Sequence, residues 1–132
     1  MDKSKTLDLG LLWLRILMGS GIAYHGYGKV FGGHVGQLAE GVGKMGFAFP
    51  EFFAWAAALS EFAGGILIVL GFQVRLAALA VFVTMSVAAF IAHSADPFSK
   101  KELALAYWTI SGALILTGGG KFCLDFKRGG KA

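Results

Sequence analysis

Apolar residues occur along this chain in four long blocks, over residues 7–28, 52–71, 76–93 and 103–118, with polar and glycine-rich stretches between them. Each block is about as long as the roughly 20 residues needed to cross a bilayer, and the last two need flanking residues to reach that length. None shows the strict alternation of a barrel strand, and inside lipid only a helix or a closed barrel satisfies its own backbone. The pattern therefore predicts an all-α membrane protein, a bundle of four transmembrane helices. Residues 1–20 have some features of a secretory signal, with Lys3 and Lys5 ahead of an apolar run and small residues at Gly19-Ser20-Gly21. Arg15 breaks that run and three further spans follow, so the segment reads as a retained first helix.

The connections differ in kind. Residues 72–75 form a tight turn, whereas 30–51 is a long first outer loop, rich in glycine and closed by Pro50. Within it Val35, Leu38, Ala39 and Val42 recur at helical spacing, which predicts a short helix lying in the interface. The third connection, 94–102, carries the turn signal Asp96-Pro97. Lys3, Lys5, Arg75, Lys121, Lys127, Arg128 and Lys131 fall on one side of the four spans, and Lys29, Lys44, Lys100 and Lys101 on the other. That excess of positive charge puts both termini in the cytoplasm. Residues 119–132 then form a basic cytoplasmic tail able to rest on anionic headgroups.

Composition agrees with the pattern: 56% of the 132 residues are hydrophobic and 15% charged, more apolar surface than a small soluble core can hide. The net charge of +4 is dispersed among termini and turns, which argues against a nucleic-acid partner. A single cysteine, Cys123, excludes an internal disulfide and a CxxC pair.

Polar residues inside the apolar blocks are the candidate chemistry. Counted at 1.5 Å per residue from the cytoplasmic ends of their helices, Arg15 lies at about 12 Å and Glu61 at about 15 Å. Each sits on a stripe of small residues four apart, Arg15/Gly19/Ala23 and Ala57/Glu61/Gly65, of the kind that lets helices approach closely. This depth match predicts an intramembrane Arg15–Glu61 ion pair, either a staple between helices or a site where Glu61 carries a proton or touches a ligand. His25 and His93 both come out about 26 Å from the cytoplasmic surface, with Lys29 four residues beyond His25 and Glu102 at the same outer level. His25, Lys29, His93 and Glu102 are therefore candidates for a proton relay or a quinone-headgroup site, or are interfacial residues meeting water. No metal site is predicted, because no ligand pair has the close spacing of a metal motif.

Read in order, Arg15, His25-Gly26-x-x-Lys29 with Phe31-Gly32-Gly33, Glu61-Phe62-x-Gly64-Gly65 closing at Gly71, Arg75, His93, Glu102 and Gly118-Gly119-Gly120 through Leu124-Asp125 resemble the DoxX family of small bacterial membrane proteins. The resemblance spans nearly the whole chain. It implies a four-helix fold in the bacterial inner membrane and a link to redox or thiol homeostasis. Cys123 departs from it, since similar proteins usually place serine before the terminal Leu-Asp. The resulting expectation is a redox-associated subunit of a membrane oxidoreductase that binds a quinone or similar apolar molecule within the bundle. A non-catalytic assembly factor or scaffold for a redox-enzyme partner, a homo-oligomer, and a transporter of a small solute or proton are the other readings.

Overall fold

A computed structural model describes residues 2–129, and every described element is helical. The first apolar block forms α1 (Lys3–Phe31), longer at both ends than the apolar run itself. Backbone hydrogen bonding continues through the polar ends until Gly32, whose N–H closes on the Gly28 carbonyl before Gly33 turns into the left-handed region. The predicted loop helix is α2 (Val35–Lys44), with Ala39 and Val42 buried where it packs on α3 (Pro50–Leu70). Pro50 opens α3 at the position where a missing N–H costs nothing. Gly71, at φ 73°, closes it: its N–H reaches the Ile68 carbonyl and that of Phe72 reaches Leu67, a Schellman ending that glycine makes without strain.

The chain then turns into α4 (Val74–Val87), which widens into one turn of π-helix, Ala88–Ala92. α5 (Phe98–Thr117) follows Pro97, and a single-turn α6 (Leu124–Lys127) comes after the glycine run. Three helices are long and apolar enough to cross a membrane: Lys3–Phe31, Pro50–Leu70 and Val74–Ala92. α5 falls short because Lys100, Lys101 and Glu102 occupy its first turns and leave 103–117, roughly 22 Å of uncharged helix.

A core of Met18, Ile22, Ile68, Val74, Ala77, Ala78, Val81, Met85 and Leu114 joins α1, α3, α4 and α5. Outside it, large apolar side chains such as Trp13, Leu17, Leu76 and Leu116 face outward, the all-round hydrophobicity of helices solvated by lipid.

The tightest contact is between α1 and α3, which run antiparallel. A Cβ on Gly19 would come within 2.7 Å of the Gly65 carbonyl, and one on Gly65 within 2.6 Å of the Ala23 nitrogen. A Cβ on Gly26 would strike the backbone of Phe62. The small stripes seen in the sequence thus form the α1/α3 crossing, centred on Gly19 and Gly65.

Candidate functional site

That crossing corrects the predicted ion pair. Arg15 precedes Gly19 on α1, and Glu61 precedes Gly65 on α3. In an antiparallel pair these positions lie on opposite sides of the crossing. Glu61 is level with Gly26, eleven residues from Arg15 and therefore roughly 16 Å along the helix. The two charges do not meet, and each has found another solution.

Arg15 is 1% exposed and is held by backbone alone. Its Nε donates to Ile68 O at 3.0 Å; Nη1 donates to Gly119 O at 2.6 Å and Phe122 O at 3.0 Å; Nη2 donates to Val69 O at 3.3 Å and Phe122 O at 3.0 Å. All five N–H donors of the guanidinium are engaged. Two of the acceptors are the last carbonyls of α3, where the negative end of the helix dipole favours a cation. The other two belong to the glycine-rich segment after α5, so residues 118–127 of the expected basic tail dock against the end of the bundle; its last residues, Lys131 among them, lie outside the described residues. Asp125 strengthens this docking by accepting from the N–H groups of Gln73 (2.8 Å) and Val74 (3.1 Å), which caps α4 from outside. Asp8 on α1 accepts from the Lys121 N–H at 3.0 Å. Cys123 is buried within the segment, its thiol donating to Gly120 O at 2.8 Å.

At the other side of the crossing Glu61 pairs with Lys29. The Lys29 Nζ lies 2.6 Å from Oε1 and 2.7 Å from Oε2, clasping both oxygens. The burial is unequal: the Glu61 side chain is 3% exposed and the Lys29 side chain 33%. The glycine at position 26 allows this, because it lets the two backbones close until a short lysine reach suffices.

His25, one turn before Lys29, lies on the same face of α1 as Gly21. Tyr107 of α5 leans against this face, with its hydroxyl over Gly21, where a Cβ would collide with it, and its ring edge-on to His25 at 6.0 Å. Tyr107 is the residue that sequence reasoning missed. The available signal was a lone phenol inside the fourth apolar block, five residues beyond Glu102.

His93 and Glu102 do not join this group. His93 ends the π turn, and its Nδ1 lies 2.7 Å from Asp96 Oδ2 across the following turn. The hydrogen bond to His93 holds the Asp96 carboxyl below its usual range, with Lys100 and Lys101 adding to the effect. Glu102 is exposed on α5. Among the described residues no hydrogen bond or ion pair links His25 or Lys29 to His93 or Glu102. These polar residues are thus two separate sites: buried Glu61 with half-buried Lys29 and Tyr107 and the exposed His25 beside them, and His93 with Asp96 on the rim.

Apolar helices surrounding a buried ion pair, with large hydrophobic side chains facing outward, define a helical membrane protein. The chain belongs to the DoxX family, whose sequence pattern matches residues 10–94. It is 35% identical over 129 residues to "Inner membrane protein YqjF" of Escherichia coli (strain K12), covering 92% of this chain and 93% of that protein. No solved structure matches the chain.

Proposed function

We propose that this protein is a redox-associated inner-membrane subunit that binds a quinone or similar small apolar molecule beside the Lys29–Glu61 pair. The observation that carries this reading is the unequal burial of the pair. Glu61 is sealed inside the bundle while Lys29, clasping it, remains one-third exposed. An ammonium has three N–H donors, and two contacts to one carboxylate leave capacity for another acceptor. A carbonyl on a lipid-soluble ring is such an acceptor, and His25 and Tyr107 stand beside the same strip of α1. Ionisable residues inside a membrane are costly and typically mark ligand or proton paths. As a subunit, the protein would present this molecule to a redox-enzyme partner.

This reading includes four spans with both termini in the cytoplasm. The path of α5 supports it. α5 begins beside the His93–Asp96 turn, and the segment after it meets Asp8, Arg15 and Gly71 at the opposite end of the bundle. Its polar first turns then lie at headgroup level. The end reached by 118–127 gathers Lys3, Lys5, Arg75, Lys121, Lys127 and Arg128, which is the side favoured for the cytoplasm. The inner-membrane location is supported by the relative in Escherichia coli.

Titration of the purified protein in lipid nanodiscs with a short-chain benzoquinone tests the binding reading. Saturable binding is expected for the natural chain, and at least tenfold weaker binding for the double variant Lys29→Met/Glu61→Met. Non-saturable partitioning of the quinone, equal to that of empty nanodiscs, would refute the reading.

A further inference from the structure

We infer that the bound molecule enters sideways from the lipid, through the seam between α1 and α5, and that Tyr107 and His25 are the contacts that select it. This rests on the reading of the Lys29–Glu61 pair as a binding site. The seam follows from how the helices pack. α1 is locked to α3 by glycine contacts with almost no space to spare, α3 packs on α4, and α4 packs on α5. α1 and α5 touch only sparsely, so this side of the bundle is the least closed.

The groups at the seam differ from Arg15, Trp108 and Ser111, the polar groups packed into the bundle. Arg15 uses every donor, the Trp108 indole N–H donates to Ser86 Oγ at 3.0 Å, and Ser111 donates to carbonyls of its own helix. The Tyr107 hydroxyl and the His25 ring nitrogens, by contrast, have only ring and van der Waals contacts among the described residues. A phenol or imidazole facing hydrocarbon without a partner is disfavoured, because lipid offers nothing in exchange.

Gly21, His25 and Lys29 are spaced four apart and form one strip of α1, running from the seam to the buried carboxylate. The side chains along that strip, with Tyr107 against it, present a phenol O–H, an imidazole and an ammonium. Such a set recognises an acceptor, and its position beside lipid calls for an apolar molecule carrying carbonyl oxygens. Tyr107 lies five residues beyond Glu102, roughly 8 Å along α5, which sets the depth of the polar head near the outer edge of the hydrocarbon. Gly21 sets the width, since any side chain there would displace Tyr107.

The test uses the full chain in nanodiscs with a photoreactive azidobenzoquinone, followed by mass-spectrometric mapping, alongside titration of Tyr107→Phe and Gly21→Val. Adducts are expected within 17–29 of α1 and 104–111 of α5. Tyr107→Phe should weaken binding about five- to tenfold, as loss of one hydrogen bond would, with an unchanged melting temperature. Gly21→Val should weaken it further. If both variants bind like the natural chain while Lys29→Met/Glu61→Met does not, the seam inference fails and the binding site stands. Adducts confined to α3 and α4 would overturn the seam as well. If the natural chain shows no saturable binding, both readings fall together.

Discussion

Removing one partner of the Lys29–Glu61 pair is expected to have very different consequences depending on which partner is lost. Lys29→Met leaves a carboxylate whose side chain is 3% exposed, pinned by the α1/α3 crossing with no other side chain bonded to it among the described residues. Stranding a buried charge in this way costs about 3–5 kcal/mol. Glu61→Met instead strands a lysine that is one-third exposed and two residues from the end of its helix at Phe31. Its long stem can swing the ammonium to the interface, so the loss should be about 1 kcal/mol or less. In the double variant two methionines fill the space of the pair, and stability should return to within about 1 kcal/mol of the natural protein or exceed it. The coupling energy of the cycle is then about 3–5 kcal/mol, well above what independent sites show. Reversible unfolding in mixed micelles, followed by helix circular dichroism, measures all four forms. Equal losses from the two single variants, or single losses that simply add in the double, would show that the unequal burial does not govern the pair.

Two further outcomes follow from the ends of the bundle. Arg15→Met removes five hydrogen bonds at once and should cost more than about 3 kcal/mol. It should also release the 118–127 segment, so that Cys123, buried in the natural chain, reacts with a maleimide at neutral pH; continued protection would show that the segment docks without the guanidinium. Arg15→Lys should give intermediate labelling, since an ammonium has two fewer donors. On the rim, the hydrogen bond from His93 lowers the Asp96 carboxyl below its ordinary value of about 3.9. A carboxyl with a depressed folded value stabilises its turn above the ordinary value, and that contribution is lost as pH falls through the depressed one. Carbon NMR of Asp96 should show this low midpoint and its return to the ordinary range in His93→Ala.

Hydropathy made the apolar blocks legible, and helical spacing of Val35, Leu38, Ala39 and Val42 made α2 legible within a glycine-rich loop. The small-residue stripes also correctly marked the α1/α3 face. What the sequence could not supply was the point at which those stripes cross. Depths counted from the ends of apolar runs put Arg15 and Glu61 together, but α1 begins at Lys3 and the crossing lies between the two charges. The partners of Arg15 were hidden for a deeper reason: they are backbone carbonyls, which every residue carries and no side-chain pattern announces. The docking of 118–127 was hidden with them. Asp125 has the composition of a tail residue, and its role as a cap for α4 depends on a return of the chain over more than fifty positions.

The two cations on either side of the α1/α3 crossing differ in what the fold leaves open. Arg15 and Lys29 are both cations set against apolar helices, and the fold accommodates them in two ways. Around Arg15 every donor is matched by a fixed carbonyl at the end of a helix or in a docked turn. Nothing remains there to offer a ligand, and any movement would break several bonds together. Around Lys29 the partner is one carboxylate, the ammonium keeps a donor and part of its exposure, and Tyr107 and His25 beside it are unspent. An added acceptor at the first site would have to displace an existing bond, whereas at the second it would complete an unfinished set. A fully satisfied polar network fixes structure, and a partly satisfied one beside lipid is where binding free energy can be gained. The fold of this chain therefore gives its two cations different surroundings, Arg15 fully matched at one end of the bundle and Lys29, clasping Glu61, left with a donor and part of its exposure.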